Sequence, residues 1–176
     1  MKKIDTLKPT VLNSIVMMTV MILLIPIGTF LYNFIVGKPT EYGVGPNGIL
    51  IVLVTTLVIH ELMHGVGYLV AGIKPKYGVG MLGILPVLYT TTRQKTMMTV
   101  HQTLIAGYLP FIALSLALIA WGLVFPQHRQ VTSFAFIINF AGSVGDLYIA
   151  SKLWKYIKMK GIKVLDTKTG FEIYSS

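Results

Sequence analysis

Four apolar runs, at 11–36, 47–71, 101–125 and 131–153, dominate this chain. Each reaches the length of about 20 residues that a helix needs to cross the hydrocarbon core of a bilayer. A chain built this way has few folds open to it. Backbone inside lipid has no water to bond with, so each run must close its own hydrogen bonds as a helix. Charge content agrees: 12% of the 176 residues are charged, against roughly a quarter in a soluble domain. The expectation is an all-α membrane protein of four transmembrane helices, forming one membrane-embedded domain over residues 1–176. Met1–Thr10 and the run behind it have the outline of a signal peptide, but the run is too long and no small-residue cleavage site follows. An uncleaved first span is expected.

The connections differ in kind. Those after the first and third runs are short and polar. The one over 72–100 is apolar yet broken by Gly78, Gly80, Gly83 and Pro86, too interrupted for a spanning helix. A re-entrant or interfacial glycine-rich loop, with a β-hairpin as one form, fits such a segment. The tail at 154–176 alternates around Asp166-Thr167-Lys168-Thr169-Gly170, which reads as a short β-hairpin.

Charge placement sets orientation and partners. The net charge is +9, and thirteen of the fifteen Lys and Arg residues lie in the N-terminus, the 72–100 loop and the stretch from Lys152 to the end of the tail. The positive-inside rule then puts both termini and that loop in the cytoplasm. Basic residues flanking apolar runs suit the head groups of a lipid bilayer, so no nucleic-acid partner is expected. With no cysteine, a metal would have to be held by His, Asp or Glu.

His60-Glu61-Leu62-Met63-His64, within the second run, is an H-E-x-x-H motif. Residues at i and i+4 share a helix face, so two imidazoles can grip one ion while Glu61 reaches its water as general base. Ionisable groups deep in a bilayer cost about 2.5–3.5 kcal/mol each on insertion scales, so they are rare and functional by default. The third protein ligand that catalytic zinc requires has one candidate on another run, Asp146. Counted from the outer edge at 1.5 Å per residue, His60, His64 and Asp146 fall at depths of about 20, 26 and 22 Å. A buried polar cluster joining helices would account for these residues without a metal. Asn139, two turns before Asp146, could donate to a substrate carbonyl or could bond another helix. Tyr108 and Pro110 suggest only a kink.

The H-E-x-x-H within a span, the glycine-rich apolar loop, the proline-containing third run and the Asn-x-x-Gly-x-x-x-Asp stretch at 139–146 resemble the site-2 protease class of intramembrane zinc proteases. The nearest resemblance is to small bacterial membrane proteins grouped as zincin peptidases. Here Leu147 follows Asp146 where the site-2 class has glycine, and Gly142 stands near its usual proline. The resemblance implies Zn2+ held by His60, His64 and Asp146, with Glu61 as catalytic base. It implies a bacterial cell-membrane protease whose substrate is a membrane protein or peptide with a transmembrane segment. Asn139, Gly80, Gly83 and Leu85 would then help bind the unwound substrate. A catalytically inactive metal-binding membrane adaptor or ion-handling protein is the alternative.

Overall fold

The computed structural model describes residues 1–8, 10–39, 44–82, 85–93, 96–167 and 170–175. Its elements, in chain order, are β1 (Lys2–Leu7), α1 (Val11–Val36), α2 (Pro46–Val70), β2 (Pro75–Leu82), β3 (Leu85–Thr92), β4 (Met97–Met98), α3 (Val100–Leu109), α4 (Ser115–Val124), α5 (Arg129–Gly142), α6 (Val144–Trp154), β5 (Ile162–Thr167) and β6 (Gly170–Ser175). Four helical stretches are long and apolar enough to cross a membrane.

Local chemistry sets where the first two begin and end. The Thr10 hydroxyl caps α1 by accepting from the Asn13 N–H at 3.2 Å, and Gly37, at φ +96°, ends it. Pro46 starts α2, where a missing N–H breaks no helical bond. The other two stretches are not single regular helices. Pro110 lacks the N–H that α3 would need to continue, and a π-helical turn, Pro110–Leu114, joins α3 to α4. The fourth breaks at Ser143, whose hydroxyl turns back on the Asn139 carbonyl at 2.7 Å. Asp146 thereby lies in the first turn of α6.

The 72–100 segment is a β-hairpin of β2 and β3, with Tyr77 opposite Thr90. Thr90 reaches α2, while the hairpin makes a separate two-stranded sheet. The tail also forms its hairpin, but within a larger sheet of order β1-β6-β5-β4. The basic flank at the N-terminus is a strand of that sheet. Asp5 ties β1 to the end of α6, accepting from the Tyr156 hydroxyl at 2.5 Å and the Lys155 ammonium at 3.0 Å. Those bonds hold its carboxyl down at about 2.

Alternation decides which face of this sheet is buried. Ile162, Val164 and Ile173 pack under Val100 and Leu104 of α3 and Ala150 and Leu153 of α6. The sheet therefore closes one end of the helices, beside the His60, His64 and Asp146 side chains described next. At the other end Tyr32, Val36 and Phe136 join α1 to α5, and the Tyr32 and Thr132 hydroxyls meet.

Candidate metal centre

His60 and His64 project from one face of α2, with ring centroids 5.0 Å apart. Asp146 faces both. Its Oδ2 lies 3.1 Å from His60 Nε2 and its Oδ1 3.4 Å from His64 Nε2. The three candidate ligand atoms all lie within 4.8 Å of one another. The depth match read from the sequence therefore corresponds to side chains that meet.

Which ring nitrogen faces the centre is settled by what holds the other one. Asn139 Nδ2 donates to the Pro110 carbonyl at 3.3 Å and the Ser115 hydroxyl at 3.0 Å. A carbonyl can only accept, so the amide NH2 must point there and Oδ1 must face His60. His60 Nδ1, 2.9 Å from that oxygen, carries the proton. His64 Nδ1 donates in the same way to the Ala106 carbonyl at 2.9 Å. With Nδ1 engaged in this way, each ring turns its Nε2 to the Asp146 carboxylate. In their neutral form the two imidazoles and the carboxylate are three acceptors facing one point, an arrangement that a divalent cation would bridge. Two imidazole nitrogens and a carboxylate oxygen suit zinc and leave its fourth position open.

Asn139 is accordingly engaged otherwise than as a substrate donor. It is 1% exposed, and both its amide hydrogens are taken within the protein. Its place is behind His60, where it orients the ring. Asn139→Leu is expected to weaken zinc binding roughly 10–100-fold, the usual effect of losing such a partner. Competition with a chromogenic chelator measures this, and unchanged affinity would remove Asn139 from that role.

Pro110 explains why the Ala106 carbonyl is available. In a continuous helix it would accept from the N–H of residue 110, and proline has none. Gly67 explains why it is within reach: a Cβ there would stand 2.6 Å from the Ala106 Cα. Gly67→Ala should push α3 away from α2, destabilise the protein by about 1–3 kcal/mol and weaken zinc binding. Gly107→Ala, on the same helix with open space around it, is the control. Equal thermal stability and zinc affinity in the two variants would refute the close-approach account.

Glu61 follows the first histidine and stands outside the ligand group. Its Oε2 lies 2.9 Å from the Thr90 hydroxyl, which is also 2.8 Å from the Glu61 carbonyl. Thr90 was not singled out by its sequence, because a threonine within Thr90-Thr91-Thr92 reads only as strand. Gly80 pairs with Val87 in the hairpin and Leu85 with Leu82 at its end. Gly83 lies outside the described residues.

Two cavities meet the centre. One, of about 170 Å³, is lined by His60, Asn139, Gly142 and Asp146. The other, of about 210 Å³, runs from Glu61, His64 and Asp146 to Tyr68, Asp166 and Phe171 at the β5–β6 turn. The Tyr68 hydroxyl donates to Asp166 Oδ2 at 2.8 Å. Burial pushes the Asp166 carboxyl up to about 6, against the opposing pull of hydrogen bonds from Tyr68 and Thr91.

A family model described as "Putative zincin peptidase" matches residues 53–159, which include every residue of the centre, Glu61 and Asn139. No curated protein and no solved structure matches the chain.

Proposed function

The chain belongs to the zincin peptidase family, which implies a zinc metallopeptidase, and from that premise we propose an intramembrane endopeptidase of the site-2 protease kind. Its substrate is a membrane protein or peptide, cut in or near a transmembrane segment. The observation that carries this reading is the convergence of His60, His64 and Asp146 within helices long and apolar enough to span a membrane. The outward side chains of those helices are apolar too, Phe30, Phe34 and Val124 being 70%, 78% and 67% exposed, which suits lipid rather than water. The basic flanks support cytoplasmic termini, so the sheet and the 210 Å³ cavity would face the cytoplasm.

Zinc at this centre would supply Lewis acidity, bringing the pKa of a water toward 7 and polarising the scissile carbonyl. His60 and His64 would offer it their Nε2 atoms, because Asn139 and Ala106 engage both Nδ1 atoms. Glu61 takes the proton of the attacking water and delivers it to the leaving amine. The Thr90 hydroxyl, bonded to Glu61, holds the carboxylate in place for both transfers. A helical substrate has its carbonyls already bonded, so a few residues must unwind. Among the described residues the β2–β3 sheet pairs with no third strand, so its edges are where they could add as a strand.

Purified protein in mild detergent should hold about one zinc per chain, the stoichiometry of a single three-ligand site. Chelation should stop cleavage of single-span proteins in isolated membranes, and added zinc should restore it. Substrates are found as fragments that accumulate with wild type but not after chelation. Zinc-replete protein that yields no such fragments would contradict the protease reading and leave a metal-binding protein.

A further inference from the structure

This chain has six acidic residues against fifteen Lys and Arg, yet three of the six, Glu61, Asp146 and Asp166, line one cavity. No Lys or Arg is among the described residues lining it. Glu61 and Asp146 have work at the centre. Asp166 has none there. It is 8% exposed, and among the described residues its hydrogen-bonding partners, Tyr68 and Thr91, are neutral hydroxyls. An aspartate this buried is normally paired with a cation. Those two hydroxyl donors are fewer than the about four acceptor sites a carboxylate offers.

We propose that Asp166 binds a lysine or arginine of the substrate, on the cytoplasmic side of the scissile bond. This inference rests on the protease reading above. Tyr68, which holds Asp166, lies one helical turn, about 6 Å of rise, beyond His64. An extended peptide advances about 3.3 Å per residue, so the basic residue falls within about three positions of the cut. Leu104, Ile149, Leu153 and Phe171 give the side-chain stem an apolar wall, while its charge reaches Asp166. Membrane spans carry such basic residues at their cytoplasmic ends, so this pocket would register a span against the metal centre.

The test uses fluorescent single-span peptides that differ by Lys, Leu or Glu, walked through the cytoplasmic flank. Binding to zinc-loaded protein and cleavage are both measured. The surplus of positive charge on this side of the protein would favour Glu, so a preference for Lys must come from a local carboxylate. At one position Lys should bind and be cut about tenfold better than Glu, the size of one close charge pair. Asp166→Asn, which still accepts from Tyr68, should bring that ratio to near one, and Asp166→Lys should invert it. Cleavage by wild type with no lysine preference at any position overturns the pocket and leaves the protease. Lysine-selective binding that depends on Asp166, without cleavage, keeps the pocket and overturns the protease. Neither binding preference nor cleavage overturns both, and the wild-type series decides this even if a variant fails to fold.

Discussion

Glu61→Gln is expected to keep its zinc and lose turnover by about two to four orders of magnitude, the range that general-base catalysis supplies. Glutamine has nearly the same shape, and its carbonyl can still accept from Thr90, so the hairpin should stay seated on α2. Because Glu61 lies outside the ligand group, metal content should match wild type. What disappears is a basic oxygen able to take a proton and return it. Single-turnover rates in proteoliposomes, with zinc measured on the same sample, separate the cases. A fall of less than about tenfold would be too small for the base. Loss of zinc together with turnover would make Glu61 a ligand instead.

Asp146→Ala should fail differently, losing metal first and activity as a consequence. Structural zinc sites bind with roughly 10–16 kcal/mol shared among four ligands, so one ligand accounts for about 3 kcal/mol, or two orders of magnitude in affinity. The remaining pair, His60 and His64, sits on one helix and cannot enclose an ion alone. The purified variant should carry well under half an equivalent of zinc after mild chelation, where wild type keeps its own. A variant that retains zinc normally would show that another group completes the coordination. The two substitutions form a pair: one separates chemistry from binding, and the other removes both.

Much of the helical frame was legible because it is written locally. The second run was expected at 47–71 and is α2, Pro46–Val70; the first was expected at 11–36 and is α1. The third and fourth runs had the right extent but not the right continuity. Pro110 suggested a kink, and the structure makes it a π-helical turn; nothing in the pattern separated α5 from α6 at Ser143. The N-terminal flank reads in the sequence as a basic lead-in to the first run, and its pairing with β6 is not legible there because the two strands stand at opposite ends of the chain.

The site divides along the same line. Spacing of four along a helix put His60 and His64 on one face, and a count of rises put Asp146 at their level. Both are short-range arithmetic that a sequence carries within itself. Which group holds each ring, and so which nitrogen is offered to the metal, depends on the Ala106 carbonyl freed by Pro110, on Asn139 held by Ser115, and on Gly67 letting two helices close. Thr90 on Glu61 and Asp166 at the cavity's end are of the same kind. These partners lie tens of residues apart along the chain. Periodicity says which face of a helix is apolar, but only packing decides which residue of a distant element stands opposite it.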